Sequence, residues 1–116
     1  MVAIIEIYDF GVIVINGKKY TSDLIIAPGK IVENWWRVEG HSLCLKDLEE
    51  VLDEKFEYLV VGTGYYGLMK VKREVYEEMG KRGVKILAKP TREAVNEFNK
   101  LVKEGRSVVG AFHLTC

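Results

Sequence analysis

The sequence predicts a single α/β domain, with an N-terminal β-rich segment joined to a C-terminal βαβαβ unit, and three observations lead there. Residues 58–114 alternate apolar runs with stretches of helical periodicity, in the order strand, helix, strand, helix, strand, and short connections of that kind demand parallel strands joined by crossovers. Residues 2–38 instead alternate β-type runs with turn dipeptides, the pattern of hairpins. A chain of 116 residues supports one hydrophobic core and rarely two, so residues 1–116 are read as one domain whose halves share that core.

The elements follow in order. VAIIEIY (2–8) is strand-like and runs into Asp9-Phe10-Gly11; GVIVI (11–15) meets Asn16-Gly17, a hairpin signal because both residues tolerate positive φ. Residues 18–20 form the return strand, 23–27 a further strand closed by Pro28-Gly29, and 31–38 an extended run around two tryptophans. Leu45, Leu48, Val51 and Leu52 stand at helical spacing against Asp47, Glu49, Glu50 and Asp53, which predicts a helix over 45–55. Strand 58–61, helix 71–81, strand 84–88, helix 91–104 and strand 107–114 complete the chain. Gly83 and Gly105 occupy helix C-terminal positions, and Thr91 after Pro90 is the expected N-cap.

Composition narrows the classes of partner. Lys plus Arg equals Asp plus Glu at 17 each, so no overall basic field attracts nucleic acid or anionic lipid. No apolar run approaches the roughly 18 residues of a membrane span, and the acidic first segment does not resemble a secretory signal. A cytoplasmic location is therefore expected, with neither nucleic acid nor membrane as a partner. Cys44 and Cys116 are too few for a disulfide framework and are read as free thiols. The Glu and Lys bias, with no Gln, is compatible with a thermophilic source.

LVVGTGYYG (59–67) spells GxGxxG, the letters of a dinucleotide-binding turn. The helix fails to start inside the motif, because Leu68-Met69-Lys70 intervene, and the next strand ends in Ala88-Lys89-Pro90 with no acid for a ribose. Gly62 and Gly64 keep a role in a tight turn, whereas Gly67 reads as incidental. What survives is a pair of loops, Gly62-Thr63-Gly64 and Lys89-Pro90-Thr91, at the carboxyl ends of parallel strands, where α/β folds place ligands and helix starts favour anions. The alternative is that Thr63 and Thr91 satisfy only turn and cap hydrogen bonds.

Three further groups carry chemistry. His41-x-x-Cys44 and His113-x-x-Cys116 hold the two nitrogens and two sulfurs of a zinc site, but a three-residue step along a strand sends the second pair to opposite faces; no metal or cofactor is expected. Trp35-Trp36-Arg37, followed by Glu39-Gly40-His41, offers aromatic and cationic contacts. There His41 becomes a general base if Glu39 or Asp23 orients it; otherwise one tryptophan is core and Arg37 sits in a structural ion pair. Tyr65 and Tyr66 are adjacent in an extended loop, so at least one is exposed. On the last helix Asn99 and Arg106 flank an apolar stripe, with Arg106 near helix-terminal carbonyls.

Phe10 to Tyr20 reads Phe-Gly-x-Ile-x-Ile-x-Gly-x-x-Tyr, the tryptophan segment runs on to Gly40-His41, and Gly62-Thr63-Gly64 follows a Val-Val strand. With Thr91-x-x-Ala94, Phe98-Asn99-x-Leu101 and Glu104-Gly105-Arg106-x-Val108, these resemble a small family of domains of unknown function. It includes the adipogenesis-associated domain protein and a mitochondrial complex I assembly factor. The resemblance implies a three-layer α/β domain on a mixed sheet, no established activity or cofactor, and Thr63, Gly64, Thr91, Asn99 and Arg106 as pocket or fold-defining positions; Phe98 departs from the tyrosine expected there.

Two functions are carried forward. In the first, the chain is a non-enzymatic protein-binding or assembly module whose partner surface is Trp35, Trp36, Tyr65 and Tyr66. In the second it is an enzyme or carrier that holds a small anion between loops 62–64 and 89–91, with Gly62, Thr63, Gly64, Tyr65, Lys89, Thr91, Asn99, Arg37 and Arg106 as ligand-binding candidates.

Overall fold

The structure is a computed structural model that describes residues 3–116. The strand expected over 2–8 therefore begins partly outside the described residues. Strands β1 (Ile5–Asp9), β2 (Val12–Ile15) and β3 (Lys18–Tyr20) form an antiparallel three-stranded sheet. The predicted hairpin is present, with Asn16 and Gly17 both at positive φ.

Strands β4 (Leu24–Ala27), β5 (Lys30–Val32), β7 (Tyr58–Thr63), β9 (Lys85–Lys89) and β10 (Val108–His113) form the central sheet, in the order β5-β4-β10-β7-β9. It is mixed: β10, β7 and β9 run parallel, while β4 and β5 add antiparallel strands on one side. Between them β6 (Ser42–Leu43) pairs with β8 (Lys70–Val71), and helices α1 (Arg73–Lys81) and α2 (Thr91–Lys103) make the crossovers.

Three layers follow from how the side chains alternate along the sheet. Leu24, Ile26, Val60 and Phe112 face Ala94, Val95, Phe98 and Leu101 of α2, together with Ile5, Ile13 and Ile15 of the small sheet. Ile25, Leu59, Val61, Val109 and Ala111 face Val75 and Met79 of α1, with Leu48, Val51 and Trp35. The chain passes from β7 through α1 to β9, then back through α2 to β10 on the other side of β7. That reversal puts the two helices on opposite faces.

Three local expectations are corrected. The helix over 45–55 is a 3-10 helix, Leu45–Leu48, followed by turns. Its backbone bonds run from Asp47 to Cys44, Glu49 to Lys46, Val51 to Leu48 and Glu54 to Val51, each spanning three residues, which is the 3-10 pattern. Leu45, Leu48 and Val51 are themselves three apart, so the same apolar ridge suits the tighter coil. The extended run over 31–38 ends at Val32, because Asn34 takes a left-handed φ of 52°. Thr91 is the first residue inside α2, not its cap; Pro90 holds the cap position without a side-chain bond.

Candidate functional site

The carboxyl ends of β7, β9 and β10 lie side by side, with His113 beside Thr63 and Gly62 beside Lys89. Thr91, fully buried, ties this edge together: its hydroxyl donates to the His113 carbonyl at 2.6 Å and accepts the Gly64 N–H at 2.9 Å. A Cβ on Gly62 would stand 2.9 Å from that hydroxyl, so the glycine lets the start of α2 close onto β7. Gly64 has φ +104°, and a Cβ there would meet the Thr115 carbonyl at 2.8 Å.

Gly67 is not incidental, contrary to the sequence reading. It has φ +70°, closes the turn by donating to the Gly64 carbonyl at 3.2 Å, and leaves only 3.1 Å between a Cβ and the Pro90 ring. The turn thus uses all three glycines for its own packing, and α1 starts only at Arg73. Its amides are also engaged within the protein: Gly64 on Thr91, Tyr65 on the Thr115 carbonyl, Gly67 on Gly64. Replacing Thr91 with valine is expected to leave the Gly64 N–H and the His113 carbonyl without this partner. The cost should be about 2–6 kcal/mol, from roughly 1–3 kcal/mol for each of the two orphaned buried groups, read as a lower chemical-denaturation midpoint.

The other ligand-binding candidates disperse. Asn99 clamps the β1 backbone, accepting the Ile5 N–H at 2.9 Å and donating to the Ile5 carbonyl at 2.7 Å. Arg106 lies at the opposite, amino edge, where it pairs with Glu57 at 3.1 Å. Lys89 faces Glu97 at 3.6 Å. Three cavities, of about 190, 250 and 400 Å³, open among the described residues away from Gly62, Thr63, Gly64, Lys89 and Thr91.

Arg37 does reach the carboxyl edge, and it leads to residues that the sequence did not assemble. Its Nη1 donates to Asp23 Oδ2 at 2.9 Å, Nη2 donates to the Gly40 carbonyl at 3.2 Å, and its guanidinium stacks 4.9 Å over Trp35. Asp23 Oδ2 also lies 2.7 Å from His113 Nδ1, and Oδ1 accepts the Leu114 N–H at 2.8 Å. A carboxylate only accepts, so Nδ1 carries the proton. The 3.1 Å approach of Arg37 Nη2 to Nδ1 is then two donors converging on one carboxylate.

Burial pushes the Asp23 carboxyl up, but hydrogen bonds from His113, the Leu114 N–H and Arg37 outweigh it and hold the group below its ordinary value. His113 and Arg37 are both more than nine-tenths buried at the side chain. Asp23 thus orients His113, not His41, whose Nε2 lies 3.0 Å from the Cys116 carbonyl. Cys44 sits on Asp47, where burial and the neighbouring carboxylate push its thiol up. Among the described residues no group of three or more His, Cys, Asp or Glu is arranged for a metal ion.

The aromatic residues divide. Trp35 is buried, at 6% exposure, with its indole N–H on the Asp47 carbonyl, so it is removed from the expected partner surface. Trp36 is 87% exposed and Tyr66 66%. Tyr65 packs edge-on against Phe10 at 5.5 Å and Tyr66 at 5.2 Å, with Arg92 over its ring at 5.8 Å. Ile7 and Phe10 are exposed too. The contact of Phe10 with Tyr65 carries no sequence signal, because it joins residues more than 50 positions apart.

A mixed three-layer sheet with this glycine edge defines a class of small α/β domains. Residues 5–113 match the family described as a protein of unknown function (DUF498/DUF598), and the chain belongs to it. Across 110 residues it is 31% identical to the human NADH dehydrogenase [ubiquinone] 1 alpha subcomplex assembly factor 3, covering 92% of this chain and 58% of that protein. The chain thus spans little more than half the length of that relative.

The fold is similar to that of a conserved hypothetical protein from Pyrococcus horikoshii OT3, at 30% identity, TM-score 0.81, and coverage of 97% and 98% of the two chains. It is also similar to a Bordetella parapertussis protein at 25% identity, TM-score 0.81, and coverage of 96% and 94%. Among the described residues no helix is long and apolar enough to cross a membrane.

Proposed function

We propose that this chain is a protein-binding assembly module and that its contact surface is the aromatic edge formed by Phe10, Tyr65 and Tyr66, extended by Trp36. The carrying observation is the exposure of Phe10, Tyr65 and Tyr66 with Tyr65 in ring contact with both of the others. Large aromatic groups that remain exposed on a rigid scaffold are the side chains that supply most binding energy at interfaces. The name of the human relative, an assembly factor, supports the same reading.

The partner segment that fits is apolar with an acidic flank. Arg92 lies over Tyr8 and Tyr65, and its ion pair with Asp9, at 3.7 Å, is loose and exposed, so a carboxylate arriving beside the rings would meet a guanidinium. The test is a photo-crosslinking amino acid placed at Tyr66 in cells of the source organism. One discrete adduct is expected, lost when Tyr65 is changed to aspartate and absent when the crosslinker stands at Glu77 on α1. Equal labelling from both positions, or no adduct from Tyr66, contradicts the reading.

A further inference from the structure

The largest of the three cavities, about 400 Å³, is lined by Asp23, Trp35, Trp36, Arg37 and His113, with Thr115 at its side. Its size falls in the range of small-ligand sites. Two buried polar atoms of the lining residues, His113 Nε2 and Arg37 Nε, meet no polar atom of the protein among the described residues. Buried polar atoms normally have partners. Both belong to side chains that are otherwise rigidly held, one by Asp23 and the other by Asp23, Gly40 and Trp35.

The chemistry of the site selects its ligand. In the tautomer that gives Nδ1–H to Asp23 and leaves Nε2 bare, Nε2 is an acceptor, and the ligand that meets it needs an N–H or O–H donor. Arg37 Nε is a donor and calls for an acceptor. The charges of Asp23 and Arg37 cancel in their 2.9 Å pair, leaving nothing to attract a net anion. The exposed Trp36 ring at the mouth favours a flat molecule. We infer that this cavity is a binding site for a small neutral planar molecule of the primary carboxamide class, donating to His113 Nε2 and lying against Trp36. This site shares Trp36 with the proposed protein-contact surface but none of Phe10, Tyr65 and Tyr66.

Benzamide is the probe. Titrated into the full chain and followed by NMR, it should move the His113 ring signals and the Trp36 indole signal saturably, with Kd about 1–10 mM as expected for so small a fragment. N,N-dimethylbenzamide has a similar shape without the donor and should bind at least tenfold more weakly, and so should benzoate. His113→Phe should lose the binding at least tenfold, and Trp36→Ala, a change on the exposed surface, should weaken it severalfold. If His113→Phe does not fold, the donorless analogue still decides. Equal binding of benzamide and its dimethyl form, tighter binding of benzoate, or no saturable shift with benzamide overturns the assignment.

Discussion

Asp23→Ala is expected to destabilise the protein by about 3–5 kcal/mol, the cost of breaking a buried ion pair by removing one partner. The carboxylate serves three groups at once: Arg37, the His113 ring and the Leu114 N–H. Its removal strands a buried guanidinium and releases the strand end that carries His113. Thermal and urea unfolding should both register the loss, and Asp23→Asn should recover only part of it, because one amide oxygen cannot replace two carboxylate oxygens. The same network sets an acid limit. The folded-state pKa of Asp23 lies below the ordinary 3.8, so its contribution is fully present above that value and disappears as pH falls through the folded pKa. Wild-type stability should therefore fall more steeply below about pH 4 than that of Asp23→Ala.

Gly64→Val is the second large effect. At φ +104° a branched side chain is strained, and its Cβ would stand 2.8 Å from the Thr115 carbonyl and 2.9 Å from the His113 ring. A disfavoured backbone region costs roughly 1–3 kcal/mol and overpacking roughly as much again, so a loss of about 4 kcal/mol is expected. Relief requires the 114–116 segment to move, because the obstructing atom is backbone. The Tyr65 N–H to Thr115 bond and the His41 to Cys116 contact should then break as well. A variant that kept wild-type stability, measured by urea unfolding, would show that this turn is looser than its geometry implies.

Much of the fold was legible because it rests on local signals. Asn16-Gly17 announced a hairpin, Gly83 and Gly105 take positive φ beyond their helices, and the alternation after residue 57 fixed the parallel core. The 45–55 segment differs from its sequence expectation because apolar residues three apart fit an α-helix and a 3-10 coil equally well over one or two turns. At the site, Gly62, Gly64 and Thr91 were found from their position at strand ends. Nothing local in the sequence joins Asp23 to His113. They are 90 residues apart, and only the antiparallel register of β4 with β10, with Leu24 opposite Phe112, brings them level.

The HxxC spacing instead groups His113 with Cys116, and the sequence alone offers Asp23 equally to His41. Which tryptophan is core was likewise beyond the sequence. Trp35 and Trp36 follow Asn34, whose left-handed backbone ends the strand and removes the simple in-out alternation that would have decided it.

The central claim, that the aromatic edge holds a protein partner, is tested most directly by native particle size in extracts of the source organism. The wild-type chain should migrate in a particle well above its own 13.2 kDa. The Tyr65→Asp/Tyr66→Asp double variant, with unchanged circular dichroism and melting temperature, should migrate as the free domain. Identical migration of the two, at either size, would contradict the claim.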